Sequence, residues 1–221
     1  MSLVIYGDLH GEWRPLMAAV AEVALAAVVI LGDCELARPI RVELAPVFST
    51  GVEVRFLHGN HEKDFARFWD NLVGDHPDGL LHARVARLGP FAVAGIAGVF
   101  KQRIWLPAAT ALFETREAFL RRLAQHERWR GGMPLKLRDA IFPEDPRALA
   151  HARVDILVTH EAPSSHGNGF VALDDLARGL EARLLMNGHY HESGVGVTRD
   201  GIKVIGLTGA EVLRLSPGDV A

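Results

Sequence analysis

The sequence predicts an α/β protein whose layered β-sheet is largely parallel and ends in antiparallel strands. Short apolar runs rich in Val, Ile and Leu recur along the 221 residues, each stopped by glycine or a polar cluster, which is typical of buried strands. Stretches with helical spacing separate these runs, and this alternation builds a parallel sheet flanked by helices. Near the C-terminus two such runs flank a turn signal instead. The three observations together favour a mixed or double sheet.

Six apolar runs are predicted as the strands of the parallel part. They are Leu3–Tyr6, Ala27–Leu31, Val52–Leu57, Phe91–Ile96, Val154–Val158 and Arg183–Met186. Two further runs, Val195–Arg199 and Ile202–Leu207, flank Asp200-Gly201, a pair that accommodates the positive φ angles of a two-residue hairpin turn. The chain is therefore expected to finish in a β-hairpin.

Three stretches between the predicted strands are predicted as helices. The pattern from Trp13 to Val23 is helical, and Pro15 stands near its start, where the fixed φ of proline suits the first turn. Phe65–Leu72 and Leu173–Leu180 have similar patterns. Each stretch connects two predicted strands, as an α/β fold requires.

The segment from about residue 101 to residue 149 is predicted to be a helical insertion or cap on a single domain that covers residues 1–221. Prolines and glycines punctuate this segment. Five of its residues follow helical spacing, namely Leu112, Arg116, Phe119, Leu120 and Leu123. They predict a helix with an apolar stripe and arginines beside it.

Composition limits the function. With 49% hydrophobic and 23% charged residues, the chain is an ordinary globular protein, and its formal charge of −3 supplies no field that would attract nucleic acid or an anionic membrane. Cys34 is the single cysteine, which excludes an intramolecular disulfide and a cysteine-rich zinc site. The most apolar stretch, Met17–Leu31, is too short to span a bilayer, and no signal peptide is recognisable, so a cytoplasmic protein is expected.

Five polar clusters directly follow predicted strands. They are Gly7-Asp8-Leu9-His10-Gly11, Gly32-Asp33, Gly59-Asn60-His61-Glu62, His160-Glu161 and Gly188-His189-Tyr190-His191. Because the carboxyl ends of strands in an α/β sheet open into one crevice, these clusters can converge. Asp, Asn and His supply oxygen and imidazole ligands that suit Mn²⁺, Zn²⁺ or Fe. Asp8 and His10 are expected to share one side of an extended segment, as are His189 and His191, since alternate side chains point the same way.

In this order the clusters resemble the signature of the calcineurin-like metallophosphoesterase superfamily, which reads Asp-x-His, Gly-Asp, Gly-Asn-His-(Asp/Glu), His and Gly-His-x-His. The resemblance spans residues 8 to 191. It implies a pair of mixed sheets flanked by helices. It also implies hydrolysis of small phosphorylated substrates with two divalent metal ions, for which Mn²⁺ is favoured over Fe or Zn. Membrane and nucleic acid are not expected partners, and the oligomeric state is left open.

The resemblance assigns roles residue by residue. One metal would be held by Asp8, His10 and His191, and the other by Asn60, His160 and His189. Asp33 would bridge both metals. His61 would bind no metal; it would contact the phosphate and protonate the leaving oxygen.

The chain departs from the phosphoprotein phosphatases of this superfamily, which clamp the phosphate with two arginines. Ala37 and His58 occupy those two positions, and Arg38 comes one residue late. Leu36 stands where purple acid phosphatases have a tyrosine. A dianionic monoester would therefore lack two cations, whereas a phosphodiester carries a single charge that two metals nearly balance. We expect a preference for phosphodiesters, among them small nucleotides.

Three residues outside the motifs are candidates for substrate contact. His166 lies in a polar loop after His160, and Lys101 and Arg103 follow the strand that ends near Phe100. The two basic residues can supply the missing cations. An exposed loop without a ligand is the alternative for each of the three.

Other functions stay open on the sequence alone. The same metal centre serves phosphomonoesterases and protein phosphatases. A nuclease would need a local basic cleft that the overall charge does not indicate. A non-catalytic metal-binding scaffold for protein contacts could keep the fold, although every motif residue is present, which favours the enzyme.

Overall fold

The computed structural model describes residues 2–21 and 25–220, and the strands among them form two mixed sheets. The strands are β1 (Ser2–Tyr6), β2 (Leu25–Ile30), β3 (Glu53–Phe56), β4 (Arg84–Leu88), β5 (Phe91–Ile96), β6 (Ile156–Thr159), β7 (Leu184–Asn187), β8 (Gly194–Val197), β9 (Lys203–Gly206) and β10 (Val212–Leu215). The first sheet has the order β10-β1-β2-β3, and the second has the order β4-β5-β6-β7-β9-β8. This arrangement confirms the predicted α/β class with a double mixed sheet.

Parallel pairing holds the middle of each sheet, and antiparallel strands form every edge except β3, which pairs in parallel. β1, β2 and β3 pair in parallel, as do β5, β6, β7 and β9. β10, β4 and β8 add antiparallel strands. The carboxyl ends of the parallel strands thus lie at one end of each sheet, where polar side chains can meet.

The helices complete the layers. They are α1 (Arg14–Ala21), α2 (Ile40–Glu43), α3 (Ala45–Ser49), α4 (Ala66–Trp69), α5 (Arg116–Leu120), α6 (Glu144–Ala148) and α7 (Val171–Gly179). α1, α2 and α3 cover the outer face of the first sheet, where Leu16, Ile40 and Val47 pack in its buried cluster. α7 covers the outer face of the second sheet through Leu173 and Leu176.

The main core lies between the two sheets. Leu3 of β1 and Val29 of β2 share one buried cluster with Val158 of β6 and Met186 of β7. Successive strand side chains point to opposite faces, so β1, β2, β6 and β7, whose residues are almost all buried, are covered on both sides. This double burial explains why the strands could be found as continuous apolar runs.

All six runs predicted as parallel-type strands are strands, with ends displaced by at most two residues. β4 and β10 were not predicted. β4 exposes Arg84, Val85 and Arg87 on an edge, so its sequence lacks an apolar run. The predicted hairpin exists as β8 and β9, but the prediction that a two-residue turn joins them is wrong. Val197 pairs with Lys203, so residues 198–202 form a longer loop.

The three predicted helices correspond to α1, α4 and α7. The predicted end of the first, Val23, lies outside the described residues. α4 is short and continues as a π-helical turn over Asp70–Gly74. None of the described helices is long and apolar enough to cross a membrane.

The segment 101–149 is less helical than its stripe predicts. α5 begins only at Arg116, because Thr115 accepts a hydrogen bond from the Ala118 N–H at 3.1 Å and so caps the helix there. Upstream, the Leu112 N–H bonds the Ile104 carbonyl instead of a helical partner. The segment has a small buried cluster of its own, which consists of Ile104, Phe119, Met133, Ala140 and Phe142. The packing of short turns stabilises this segment, rather than one long helix.

Polar contacts tie this segment to the rest of the fold. His82, outside the segment, lies 3.0 Å from Arg116 and 3.1 Å from Asp145, and Arg116 donates to Asp145 within the segment at 2.9 Å. Arg130 donates twice to Asp70, at 2.6 and 2.9 Å, in the turn that follows α4. The contact of Arg130 with Asp70 places the segment beside the loop that carries Asn60 and His61.

Candidate metal centre

The five polar clusters follow the carboxyl ends of five parallel strands and converge. Asp8 follows β1, Asp33 follows β2 and Asn60 follows β3. His160 and His189 follow β6 and β7 of the other sheet. The Nε2 atom of His160 lies 3.1 Å from Asn60 Oδ1 and 3.5 Å from Asp33 Oδ2, so residues of both sheets meet at this point.

The backbone that carries these side chains is not extended. His10, Asp33, His189 and His191 all have positive φ, at 42°, 49°, 74° and 51°. The expectation that alternate residues share one side of an extended segment is therefore wrong in its geometry. Non-glycine residues adopt this conformation at a cost of roughly 1–3 kcal/mol each, and such strain is retained mainly where function fixes it.

Two glycines allow the loops to approach one another. A β-carbon at Gly59 would lie 2.1 Å from Asp33 Oδ1, and one at Gly188 would lie 2.2 Å from Asp8 Oδ1. No real side chain fits at these distances. Glycine is thus required at both positions for the carboxylates to reach the centre.

The first group of possible ligands surrounds His10. Its Nε2 atom lies 3.2 Å from His191 Nε2, and the two rings stack with their centroids 4.8 Å apart. Two imidazoles that each lie about 2.1 Å from one ion have a separation of this size. The other ring nitrogen, Nδ1, lies 2.6 Å from Glu35 Oε1. A carboxylate in that place fixes the ring and leaves Nε2 for an ion.

The second group consists of Asp33, His160 and His189, whose ligand atoms lie within 4.8 Å of one another. The Nδ1 of His160 bonds the Leu31 carbonyl at 2.8 Å. That bond takes the Nδ1–H proton of a neutral imidazole and leaves the Nε2 lone pair directed at Asn60 and Asp33. The geometry of both His10 and His160 is therefore compatible with metal binding through Nε2, because the other ring nitrogen of each is held by a second hydrogen bond.

The electrostatics of the centre also fit a bound cation. Asp8 is fully buried, and its Oδ1 has no hydrogen-bond partner among the described residues. Burial, followed by the charge of Asp33, raises the pKa of Asp8 to about 6 against the opposing effect of His160. Burial would lower the pKa of His160, but the carboxylates of Asp33 and Asp8 outweigh it and raise that pKa to about 9. A proton thus takes the place that a divalent cation would fill.

His61 stands at the edge of the centre, about two-fifths exposed. Its N–H donates to Asp33 Oδ1 at 2.8 Å, and its Nδ1 lies 2.8 Å from Asp64 Oδ2. The ring is also 5.2 Å from the ring of His10, and its nearest nitrogen lies within 4.8 Å of possible ligand atoms of His10 and Glu35. With Nδ1 engaged by Asp64, Nε2 is left for a substrate oxygen.

Three acidic residues of the centre received no role from the sequence. Glu35 contacts His10, and Asp64 contacts His61. Glu62 is fully buried and accepts hydrogen bonds from the Cys34 N–H at 2.6 Å and the Gly59 N–H at 2.5 Å, so it joins the loops after β2 and β3. Glu62 belongs to the motif Gly59-Asn60-His61-Glu62, but the spacing of the motif does not indicate which groups Glu62 contacts.

The candidates for substrate contact lie in different surroundings. Lys101 Nζ lies 2.7 Å from Asp139 Oδ1, so its charge is paired. Arg103 is exposed and lines a cavity beside the loop after Asn60. His166 stacks on Tyr190 with ring centroids 4.1 Å apart, and its Nε2 lies 3.3 Å from Glu192.

The structure also explains why the usual clamp positions supply no cation. His58 is buried, and burial followed by the charge of His82 holds its pKa well below the ordinary value, so the ring is neutral. Arg38 is paired with Glu43 at 2.9 Å. Ala37 has no charge to offer. A phosphate group would therefore meet few fixed positive charges of the protein at these positions.

Replacing Glu35 by glutamine is expected to weaken the metal site that contains His10. The amide keeps the size of the side chain but removes the charge that holds His10 Nδ1, and loss of such a partner typically costs about 10–100-fold in metal affinity. Calorimetric titration of the metal-free protein with Mn²⁺ measures the effect. The matched control is Glu117→Gln, an exposed residue paired with Arg121. Equal Mn²⁺ affinity in the parent and the Glu35 variant would contradict the role of this carboxylate.

Comparisons with known proteins identify the family of the chain and similar folds. Residues 1–193 match the sequence profile of the calcineurin-like phosphoesterase family. An uncharacterized protein of Haemophilus influenzae is 32% identical over 192 residues, which cover 86% of this chain and 84% of that protein. Among solved structures, a protein of Thermus thermophilus has a TM-score of 0.56 at 14% identity, over 96% of this chain and 93% of that one. The phosphopantetheinyl hydrolase of Mycobacterium tuberculosis has a TM-score of 0.56 at 14% identity, over 98% and 96%.

Proposed function

The chain belongs to the calcineurin-like phosphoesterase family and is a metal-dependent phosphoesterase, and from this premise we propose that it hydrolyses phosphodiesters, among them small nucleotides, at a centre of two divalent ions. The observation that carries the proposal is the meeting of two ligand groups. One surrounds His10 and the other contains Asp33, His160 and His189. Mn²⁺ is the favoured ion, because the donors are carboxylate, amide and imidazole without a thiolate.

The proposal assigns the ligands as follows. One ion would be held by Asp8, His10 and His191, and the other by Asn60, His160 and His189. Asp33 would contact both ions, since its two oxygens face different neighbours, the His61 N–H and the His160 ring. Bound there, the two ions would supply an activated water and positive charge for the phosphate oxygens.

The chain itself supplies the other parts of the reaction. Asp64 holds Nδ1 of His61, so that Nε2 can give a proton to the leaving oxygen. The hydrogen bonds to His160 and His10 keep the ligand rings in place before substrate arrives. Burial of Asp8 and Asp33 keeps water from screening their charges. Preorganisation of this kind lowers the barrier because little has to move during the reaction.

The preference for diesters rests on the shortage of fixed cations. Ala37, the neutral His58 and the paired Arg38 leave a dianionic monoester undercompensated, whereas the single charge of a diester needs fewer partners. The segment 101–149, tied to the core by Arg130 and Asp70, would act as a cap that contacts the alcohol groups.

The substrate class can be tested with two chromogenic esters. We expect bis(4-nitrophenyl) phosphate to have a higher kcat/KM than 4-nitrophenyl phosphate under identical Mn²⁺, because the diester matches the available charge. Chelation of the metal should abolish both activities. A preference of about tenfold or more for the monoester, roughly 1.4 kcal/mol, would overturn the proposal and would point to Lys101, Arg103 or Arg38 as a replacement clamp.

A further inference from the structure

A cavity of about 530 Å³ opens beside the candidate centre, between the loop after Asn60 and the segment 101–149. Lys63 and Asp64 form its wall on the side of the centre. Arg103 and Lys136 line it from the opposite segment, and Leu123 and Trp129 add apolar surface. The cavity thus combines room for an organic group with positive charge.

The wall of the cavity is in direct contact with the catalytic candidates. Asp64 Oδ2 lies 2.8 Å from Nδ1 of His61, and Lys63 donates to the backbone carbonyl of Asn60. His61 is the residue proposed to protonate the leaving oxygen. The cavity is therefore separated from the His61 ring by a single side chain, that of Asp64.

Two of the cations that line the cavity are free to bind an anion. Lys63 Nζ lies 3.5 Å from Asp64 and 3.6 Å from Asp139, and Arg128 donates to the Leu120 and Leu123 carbonyls, so both are engaged by the protein. Within residues 2–21 and 25–220, in contrast, no acidic side chain pairs with Arg103 or Lys136, and both are at least partly exposed. Their charges gain a partner only from a ligand or solvent.

We propose that this cavity is a subsite for the leaving alcohol and selects alcohols that carry a further phosphate group. The inference rests on the proposed phosphodiesterase function and names its substrate class as a phosphodiester with an additional terminal phosphate. Arg103 and Lys136 together match the charge of a phosphate dianion, and arginine binds phosphate oxygens in a bidentate manner. Leu123 and Trp129 accommodate the organic part of the alcohol.

The test compares adenylyl-adenosine with the same dinucleotide carrying a terminal phosphate at its 5′ or its 3′ end. We expect kcat/KM of the Mn²⁺-loaded enzyme to be about tenfold or more higher for one of the phosphorylated forms. In the variant Arg103→Ala/Lys136→Ala, the kcat/KM of the preferred phosphorylated form should fall towards that of adenylyl-adenosine, so that their ratio approaches one. The matched control is Arg122→Ala, an exposed arginine of the same segment outside the cavity, which should keep the parent's ratio.

The outcomes separate this inference from the function on which it rests. Hydrolysis of plain adenylyl-adenosine without any preference for a terminal phosphate would overturn the subsite alone. A preference that survives in the double variant would do the same, because another residue would then bind the phosphate. If the enzyme cleaves none of these dinucleotides and does not cleave bis(4-nitrophenyl) phosphate, the phosphodiesterase proposal itself fails and the subsite fails with it. Raising the ionic strength should reduce a true preference, since both cations are accessible to solvent.

Discussion

Asp33→Asn is expected to leave a folded protein that no longer retains two metal ions. Asp33 is buried, with one oxygen bonded to the His61 N–H and the other facing His160. The amide would keep the size of the side chain but lose the negative charge that both ions are proposed to share. Burial opposes ionisation of Asp33, but His160 outweighs it and lowers the pKa, so the charge is present before any metal binds.

Elemental analysis of purified protein measures this effect. The parent loaded with Mn²⁺ should contain about two ions per chain, and the variant one or none, with kcat/KM lower by at least about 100-fold. Asp175→Asn is the matched control, because Asp175 is exposed and pairs with Arg178 on α7, away from the centre. A parent that never exceeds one transition metal per fully loaded chain would refute the binuclear centre. A variant that keeps both ions would refute the bridging role of Asp33.

The sequence predicted that the five clusters converge, because four of them follow strands that are almost entirely buried on both faces. The runs before Asp8, Asp33 and His160 are almost entirely apolar, so the point where polarity begins marks the strand end. In a parallel arrangement these ends meet, and no side-chain detail is needed to infer that they converge. The fold class follows from the same pattern.

The contacts within the centre could not be predicted in the same way. The approach of Glu35 to His10 depends on positive φ angles at Asp33 and Glu35, which are 49° and 48°. The conformational propensities of these two residue types do not predict such angles. Glu62 reaches two loops that are separated from each other by a whole strand–helix unit. Such contacts are decided by tertiary packing. Only the local motif is visible in the sequence.

The edges and the segment 101–149 show a second limit. β4 is an edge strand with exposed arginines, and its pairing with β5 compensates for the apolar run it lacks. In segment 101–149, Phe119, Leu120 and Leu123 pack in or against a small cluster built from turns, whereas Leu112 of the same predicted stripe is exposed. The helical spacing therefore extends beyond the helix that forms. Periodicity predicts the element correctly only when one surface buries all the apolar residues.

His61→Ala is expected to keep both metal ions and to lose most of its turnover. In the proposed role His61 binds no ion, so elemental analysis of the purified variant should still find about two ions per chain. The lost proton donor should lower kcat by about 10²–10⁴-fold for esters with alkyl leaving groups. His151→Ala is the control for loss of a histidine. His151 is exposed and belongs to none of the strand-end clusters.

The choice of leaving group makes the test specific for proton donation. 4-Nitrophenolate departs readily without a proton, so bis(4-nitrophenyl) phosphate should be far less affected by His61→Ala than a dinucleotide, whose alkoxide needs one. An equal loss for both substrates would assign His61 to binding the phosphate rather than to protonation. Because the ring also lies near possible ligand atoms of His10 and Glu35, a variant purified without its metals would instead make His61 a ligand. An unchanged kcat on the dinucleotide would exclude any part for His61 in the reaction, so the metal content and the leaving-group dependence together decide its role.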